Sequence, residues 1–396
     1  MSAAALVIVG AGLAGWTTAR EFRKLDTSTP VVLITADNGD FYAKPTLSNA
    51  CAQKRAAEQL VTTPAAKMAE TLNVTLLAHS LVLAINAAAH SLTVAGANGD
   101  SQTLPYRQLV LATGAHPIRV PLQGEAAAQV QSINHLSDLA HFQLVLGDTP
   151  KTVLIMGAGL IGCEFANDLV LGGHRVHIAD PAERPLAALL PTGASQQLQD
   201  ALQSLGVVWH LGSTVQSLRH ADSTPALAAT LSNGQEVAAD LVLSAIGLRA
   251  DTALAQAAGL HCERGVVVDE QLHTSAQDVF ALGDCAQYAS AGARTLPYVM
   301  PIMNAARALA ATLAGTPTPL VFPLMPVSVK TPALPTVVAA PHPGLAGHWV
   351  ADDLDAEAAQ TGGAWRFLDG QGQQRGFVLT GKQSARRMEL AKTTVL

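Results

Sequence analysis

Residues 6–15 read LVIVGAGLAG, and residues 153–162 read VLIMGAGLIG. Each stretch is an apolar run of strand length that ends in a Gly-x-Gly-x-x-Gly turn and continues as a helical pattern. The first glycine permits a tight turn, the second lets the backbone approach a pyrophosphate, and the third lets the helix pack closely on the strand. The repeat therefore predicts an α/β protein with two Rossmann-like dinucleotide-binding domains.

Each copy also has an acidic residue about 20 residues beyond its third glycine, where a carboxylate can bind the hydroxyls of an adenosine ribose. These acids are Asp37 and Asp180. Two complete copies make a merely structural glycine turn improbable. Two dinucleotides in one chain indicate one tightly held redox cofactor and one exchangeable nicotinamide dinucleotide.

Composition excludes several other classes. The 396 residues are 49% hydrophobic and 14% charged, with a formal net charge of −6, so we expect two or three globular domains. There is no long basic run to bind nucleic acid or an anionic membrane, and no apolar run approaches the roughly 20 residues that span a bilayer. The N-terminus has no signal-peptide pattern, which predicts a cytoplasmic location. The four cysteines form no CxxC pair, so we expect neither a metal site nor a close dithiol.

Three further segments, each a short apolar run that ends in a glycine, restrict the choice of protein family. Residues 109–115 read LVLATGA, residues 243–247 read LSAIG, and residues 279–286 read VFALGDCA. With the two glycine turns, these segments resemble the pyridine nucleotide-disulfide oxidoreductase superfamily, in which the first dinucleotide site holds FAD and the second holds NAD(P)H. The resemblance implies three domains: an FAD domain of residues 1–114 and 246–320, an NADH domain of residues 115–245, and a C-terminal α/β cap of residues 321–396.

The resemblance also implies which residues bind the two cofactors. The FAD contacts that it implies are Gly10, Gly12, Gly15, Asp37, Lys44, Pro45, Thr113, Gly114, Asp284, Val299 and Lys330. The NADH contacts that it implies are Gly157, Gly159, Gly162, Glu164, Asp180 and Gly247. No catalytic acid or base is required for hydride transfer between the cofactors. Lys44, Glu164 and Lys330 are candidates for contacts to the flavin or the nicotinamide.

A closer resemblance concerns four segments. Residues 41–48, FYAKPTLS, resemble the flavin-bordering segment of one-electron-carrier reductases in the apoptosis-inducing-factor-like branch. Residues 159–169, 298–301 and 325–332, which read GLIGCEFANDL, YVMP and MPVSVKTP, are similar to the rubredoxin–NAD reductase family. This resemblance implies an NADH-dependent FAD enzyme that passes electrons one at a time to rubredoxin or a similar small, acidic iron protein. Docking is then expected at residues 298–303 and 325–332, with Lys44 and Lys330 nearby.

The sequence departs from that branch at Asn49, where many ferredoxin reductases have a lysine that can pair with the glutamate matched by Glu164. Two roles for Glu164 therefore stay open: a contact to the nicotinamide amide, or an ordinary helix residue in contact with solvent. Alternative functions are a reductase for a ferredoxin-type carrier, an NADH oxidase or peroxidase, and a non-catalytic NADH sensor. Cys51 is the only thiol near the flavin-bordering segment that a peroxidase could use, and its sequence context is atypical.

Overall fold

The computed structural model describes residues 5–222, 224–354 and 361–396. Within these residues the chain forms two compact units. The first unit lies within Met1–Ala43, Val61–His116 and Leu248–Phe322, and the second consists of Lys44–Leu60, Pro117–Gly247 and the described part of Pro323–Leu396.

The strands and helices are numbered in chain order. The strands are β1 (Ala5–Val9), β2 (Val31–Ile34), β3 (Thr75–Leu77), β4 (Leu81–Asn86), β5 (Ser91–Ala95), β6 (Ser101–Leu111), β7 (Ala115–Pro117), β8 (Thr152–Met156), β9 (Arg175–Asp180), β10 (Val208–Leu211), β11 (Val215–His220), β12 (Leu227–Leu231), β13 (Glu236–Ala239), β14 (Leu241–Ser244), β15 (Leu248–Ala250), β16 (Val266–Val268), β17 (Val279–Ala281), β18 (Ala286–Tyr288), β19 (Val327–Val329), β20 (Thr336–Ala339), β21 (Gly347–Ala351), β22 (Ala364–Asp369) and β23 (Gln374–Thr380). The α-helices are α1 (Leu13–Arg23), α2 (Ala65–Leu72), α3 (Leu136–Leu146), α4 (Leu160–Leu171), α5 (Thr192–Ser204), α6 (Ala253–Ala257), α7 (Val299–Leu313) and α8 (Arg387–Thr393). Short 3-10 helices include Lys44–Asn49, Gly283–Cys285 and Gly381–Arg386.

The first unit is built on a seven-stranded sheet with the order β3-β2-β1-β6-β5-β4, in which β17 also pairs with β6. Strand β1 is parallel to both β2 and β6, and all five of its residues are buried, as expected for a central strand. Helix α1 follows β1 and packs against α7, with the side chains of Trp16 and Phe22 fully buried. The carboxyl end of β1 therefore carries the first glycine turn.

The second unit contains three sheets. A four-stranded parallel sheet has the order β10-β9-β8-β14, and β11, β12 and β13 form a three-stranded sheet. The C-terminal residues form a five-stranded antiparallel sheet with the order β19-β20-β23-β22-β21. The second glycine turn joins β8 to α4, at the carboxyl end of a strand whose five residues are all buried.

The α/β prediction and both predicted strand-turn-helix units are confirmed. In the C-terminal region the structure has the strands β19, β20, β22 and β23, and β21 lies at the edge of their sheet. The helical segment near the C-terminus has two parts, the 3-10 turn Gly381–Arg386 followed by α8. The three-domain boundaries stay a prediction. Among the described residues, no helix is both long and apolar enough to cross a bilayer.

Candidate dinucleotide sites and a buried ion pair

The two glycine turns have the same backbone geometry. Gly10 has a φ of +110° and Gly157 a φ of +107°, a conformation that residues with a Cβ rarely adopt. The N–H group of Gly10 donates to the carbonyl oxygen of Ile34, and that of Gly157 donates to Ala179, both at 2.8 Å. Each turn is thus joined to the strand that follows its helix by an equivalent hydrogen bond. The sequence repeat is also a repeat in three dimensions.

The second and third glycines of each turn have different roles. A Cβ on Gly15 would lie 1.8 Å from the carbonyl oxygen of Gly10, and one on Gly162 would lie 1.9 Å from that of Gly157, so helix and turn are in direct contact. A Cβ on Gly12 or Gly159 would meet no described atom within 4 Å. This open space lies at the N-terminus of α1 or α4, where unpaired N–H groups and the helix dipole favour an anion. Both turns therefore fit a dinucleotide pyrophosphate.

The predicted strand ends at 109–115 and 243–247 lie against the two turns in equivalent positions. A Cβ on Gly10 would meet the carbonyl oxygen of Ala112 at 2.2 Å, and one on Gly157 would meet that of Ala245 at 2.6 Å. A side chain at the first glycine of either turn would therefore collide with the neighbouring strand end.

Thr113 and Gly114, which follow β6, are hydrogen-bonded to Asp251, which follows β15. The Thr113 hydroxyl donates to the carbonyl oxygen of Asp251 at 2.9 Å, and the N–H of Asp251 donates to Gly114 at 2.9 Å. In the second unit, Gly247 has a φ of +112° and accepts from the N–H of Ile118 at 3.0 Å. The predicted contacts of these three residues to FAD or NADH stay predictions.

Asp37 lies just beyond β2, beside the first glycine turn. Its Oδ1 accepts from the Thr35 hydroxyl at 2.6 Å and from the N–H of Gly39 at 2.9 Å, which orients the carboxylate. Trp16, on α1, donates from its indole N–H to the carbonyl oxygen of Gly39 at 2.8 Å. Sequence reasoning missed this fully buried tryptophan, which fixes the loop that carries the predicted ribose ligand.

Asp180 ends β9 beside the second turn. Its Oδ2 accepts from the N–H of Ala158, inside the glycine turn, at 2.6 Å, and its Oδ1 accepts from the N–H of Ala182 at 2.7 Å. Arg184, the nearest arginine in sequence, donates to the carbonyl oxygens of Leu190 at 2.6 Å and Ala187 at 3.1 Å. The site thus presents a carboxylate at the turn, while its nearby guanidinium is bound to the backbone.

The Gly-Asp turn that carries Asp284 is held against the first glycine turn. A Cβ on Gly283 would lie 2.9 Å from that of Ala14 on α1, so Asp284 is brought beside the N-terminus of that helix. Tyr288 is fully buried, accepts from the N–H of Gly283 at 2.7 Å and donates to its carbonyl oxygen at 3.2 Å. Burial raises the pKa of the Tyr288 phenol, which keeps it a donor. Sequence reasoning also missed this residue.

Val299 is the first residue of α7, whose N-cap is Tyr298. The first turn of a helix has N–H groups without partners inside the helix, so this end can receive an acceptor. Helix α7 packs on α1, where the Thr17 hydroxyl lies 3.9 Å from the sulfur of Met303. The first unit therefore brings the glycine turn, Asp284 and α7 together, and the contacts of Asp284 and Val299 to FAD stay predictions.

In the second unit, the buried carboxylate of Glu164 forms an ion pair with Lys330, whose side chain is 30% exposed. The Glu164 side chain is only 2% exposed, and its Oε2 accepts from the Lys330 ammonium and from the Ser48 hydroxyl, the latter at 2.7 Å. Its Oε1 accepts from the backbone N–H of Lys330 at 2.9 Å. Lys330 thus provides the positive partner that position 49 lacks. The interpretation of Glu164 as a solvent-contacting helix residue is wrong, because the carboxylate is buried.

Lys44, the other candidate lysine, lies at the start of the 3-10 helix Lys44–Asn49, followed by Pro45. Its ammonium donates to Oδ1 of Asn134 at 3.1 Å. The structure therefore joins Lys330 to Glu164 and Lys44 to Asn134. Direct contacts of Lys44, Pro45 and Lys330 to flavin stay predictions.

Two more polar residues of α4 were missed. Asp168 is 3% exposed and accepts from the N–H groups of Cys51 at 2.9 Å and Ala52 at 3.0 Å. Asn167 accepts from the N–H of Ala333 at 3.0 Å. With Glu164, these residues follow the three- and four-residue spacing of one helix face. Polar side chains at that spacing in an otherwise apolar helix were a signal that could have revealed this contact face.

Cys51, which follows the 3-10 helix Lys44–Asn49, contacts this face of α4 through Asp168. Burial, together with the neighbouring Asp168 carboxylate, raises the pKa of the Cys51 thiol to about 12. Burial also raises the pKa of Cys163 and of Cys285, both of which are fully buried. Because a thiolate is the nucleophilic form, these surroundings disfavour thiol chemistry at neutral pH.

We therefore expect Cys51→Ser to keep carrier reduction within a few-fold of the wild-type rate. The serine hydroxyl can replace the thiol near Asp168, and no step needs a thiolate. Steady-state turnover with a saturating carrier measures the effect. A fall in kcat of more than about a hundredfold, equivalent to roughly 2.7 kcal/mol of barrier, would instead indicate a catalytic thiol.

Comparison with known proteins agrees with this geometry. The family model described as pyridine nucleotide-disulphide oxidoreductase matches residues 4–310, and that described as rubredoxin binding C-terminal domain matches residues 319–394. The chain is 42% identical to rubredoxin-NAD(+) reductase of Alcanivorax borkumensis, over 98% of this chain and 97% of that one. It is 40% identical to nitric oxide reductase FlRd-NAD(+) reductase of Aeromonas salmonicida, over 98% and 95% of the two chains.

Solved structures show the same fold. Putidaredoxin reductase, in a crystal structure of its covalent complex with putidaredoxin, matches with a TM-score of 0.86 at 24% identity, over 99% of this chain and 94% of that chain. The first family model covers well over half of the sequence and includes both glycine turns. The chain therefore belongs to the pyridine nucleotide-disulphide oxidoreductase family.

Proposed function

We propose that this protein is an FAD enzyme that oxidises NADH and passes the electrons one at a time to rubredoxin. The observation that carries this proposal is the presence, in one chain, of two geometrically equivalent dinucleotide turns and a C-terminal region that matches a rubredoxin binding domain. Rubredoxin-NAD(+) reductases are similar to the chain over nearly its whole length.

The residues of the chain bind and orient the cofactors. The turn at Gly12 and the N-terminus of α1 receive the FAD pyrophosphate, and Asp37 and Asp284 bind hydroxyl groups of FAD. The turn at Gly159 receives the NADH pyrophosphate, and Asp180 binds its adenosine ribose. When bound, NADH supplies a hydride and FAD divides the electron pair into single electrons.

A second candidate acceptor is the FlRd named in the relatives called nitric oxide reductase FlRd-NAD(+) reductase. The relative from Aeromonas salmonicida is 40% identical to this chain, nearly as high as the 42% of the rubredoxin-NAD(+) reductases. A ferredoxin-type carrier is a third candidate. The structure fits a thiol-dependent peroxidase less well, because the pKa of the Cys51 thiol is raised to about 12 and little thiolate forms at neutral pH.

Anaerobic assays of NADH oxidation with separate acceptors test the proposal. We expect fast turnover with rubredoxin, slower turnover with a ferredoxin, and little with peroxide or a disulfide. Faster reduction of ferredoxin than of rubredoxin would contradict the assigned acceptor. Rapid flavin reduction without turnover on any acceptor would instead indicate a sensor.

We also expect NADH to be strongly preferred over NADPH. The Asp180 carboxylate would repel a 2′-phosphate, and the Arg184 guanidinium, which could attract one, donates to the carbonyl oxygens of Leu190 and Ala187. The preference is measured as the kcat/KM with NADH divided by the kcat/KM with NADPH, in the wild type and in Asp180→Asn. Asparagine preserves the side-chain shape, keeps an acceptor for one of the two N–H groups that Asp180 binds and removes the charge, so the ratio should fall by about tenfold or more. Equal use of NADPH by the wild type would contradict the assignment.

We propose a cytoplasmic location as well. The use of NADH and the presence of four free cysteines support it, since thiols persist in that reducing compartment. Detection of the protein in fractionated cells tests this location.

A further inference from the structure

The C-terminal end of the chain has a local charge opposite to that of the whole protein. Residues 381–393 contain four basic residues, Lys382, Arg386, Arg387 and Lys392, and one acidic residue, Glu389. We call this stretch the basic segment. It contributes +3 to a formal net charge of −6, so the rest of the chain carries −9. An acidic partner is therefore repelled by most of the molecule and attracted here.

Three of the four cations are available to a partner. Arg386 is bound to Asp352 at 3.2 Å and to Glu389 at 2.8 Å, so it stabilises the fold locally. Lys382, Arg387 and Lys392 are exposed and form no ion pair within residues 5–222, 224–354 and 361–396.

The basic segment is anchored to the fold by a buried residue, Leu390. Leu390 of α8 is 1% exposed, and its carbonyl oxygen accepts from the side-chain amide of Gln374 at 2.9 Å. Gln374 also donates to the Thr394 hydroxyl at 2.6 Å. Met388 and Lys392 are each two residues from Leu390, about 200° around the helix, so they project away from the core. Met388 is 63% exposed, which places an apolar side chain among the free cations.

We propose that the basic segment is a docking surface for a small acidic electron carrier of the rubredoxin type. The proposal rests on the proposed function and specifies which part of the C-terminal region meets the carrier. Weak redox complexes bury little area and combine an apolar centre with charges at the rim, as Met388 and the three cations do. The segment also lies within the residues that match the rubredoxin binding domain.

This surface differs from the one expected from the sequence. Lys330 was a candidate for carrier docking within residues 325–332, but its ammonium is bound to the buried Glu164 and to Ser48. A cation that is already paired with a buried carboxylate attracts an acidic protein weakly. Lys382, Arg387 and Lys392 take that role in our proposal.

The test is a triple charge reversal, Lys382→Glu with Arg387→Glu and Lys392→Glu, in the FAD-loaded full chain. The second-order rate constant for rubredoxin reduction at low ionic strength should fall at least about tenfold, and the difference should shrink as salt screens the charges. Stopped-flow reduction of the flavin by NADH should not change. A titration of oxidised rubredoxin should show a weaker Kd for the variant, which measures docking without turnover.

Arg107→Glu, made singly and compared with Arg387→Glu, is the matched control. Arg107 is an exposed arginine of β6, and its guanidinium donates to the side chain of Gln108 at 3.0 Å. The Arg107 variant should leave the rubredoxin rate near the wild-type value.

Several results would overturn the proposal. Unchanged rubredoxin binding and salt dependence in the triple variant would do so, as would an equal loss in both half-reactions. A wild-type dimer that the triple variant converts to monomers would identify the segment as a contact between two copies of the chain. If wild-type protein neither binds nor reduces rubredoxin, the proposed function fails as well. If the wild type reduces rubredoxin and the triple variant does so at the same rate, only the docking surface is rejected.

Discussion

Gly12→Ala is expected to yield protein without bound flavin, whereas Gly159→Ala should yield a yellow protein that NADH reduces poorly. In both turns a Cβ at the second glycine meets no described atom within 4 Å, and the backbone there is extended, so the chain itself tolerates alanine. The methyl group occupies the space in front of the helix N-terminus that a pyrophosphate needs. Flavin absorbance of the purified variants, and stopped-flow reduction by NADH, separate the two effects.

For Gly159→Ala we expect the Kd for NADH to rise by about tenfold or more, equivalent to at least 1.4 kcal/mol of binding free energy. Gly370→Ala is the control, because a Cβ there also meets no described atom and the residue lies in the turn after β22. It should keep both flavin and NADH reduction. Loss of flavin in Gly159→Ala, with flavin retained in Gly12→Ala, would reverse the assignment of the two sites.

Lys330→Met is expected to destabilise the holoenzyme by about 2 kcal/mol, between the values typical of exposed and of fully buried ion pairs. The substitution removes the ammonium partner of a carboxylate that is 2% exposed, and breaking a buried ion pair leaves an uncompensated charge. Denaturant unfolding, followed by fluorescence at several wavelengths, measures the loss. For the same reason, Lys330→Glu would bring two carboxylates together and would report on this pair, not on carrier docking.

Two variants serve as controls for that result. Lys67→Met removes the partner of Glu70 in a pair with both side chains mostly exposed, for which about 0–1 kcal/mol is expected. Combining Lys330→Met with Glu164→Gln removes both charges. The glutamine oxygen can still accept from the backbone N–H of residue 330 and its NH2 group can donate to the Ser48 hydroxyl, so much of the stability should return. A single variant Lys330→Met as stable as Lys67→Met would show that the pair contributes little.

The fold and both glycine turns could be predicted because their signals are local. A strand, a turn with three glycines and a helix occupy fewer than about 30 residues. The first and third glycines are required by contacts within that unit or to a neighbouring strand, and the second leaves open the space in front of the helix. The likeness of Gly10 to Gly157, and of Ala112 to Ala245, is visible in the sequence as a repeat. The ribose acids Asp37 and Asp180 follow at the expected spacing for the same reason.

The supporting residues were not predictable in this way. Trp16 and Tyr288 are buried, and an aromatic residue in a helix or strand is usually part of the core. Only the structure shows that their polar atoms hold the loops of Asp37 and Asp284, because a side-chain hydrogen bond to a backbone carbonyl group leaves no pattern in the sequence.

The sequence by itself determined that the chain has two dinucleotide turns, which residues form them and to which family they belong. Only the tertiary structure decided how Glu164 is neutralised. Its partner, Lys330, is 166 residues away, and Ser48, which completes the network, comes from a third segment. A buried carboxylate must be paired, but any cation that the fold brings near can pair with it. The ion pair therefore forms although position 49 is an asparagine.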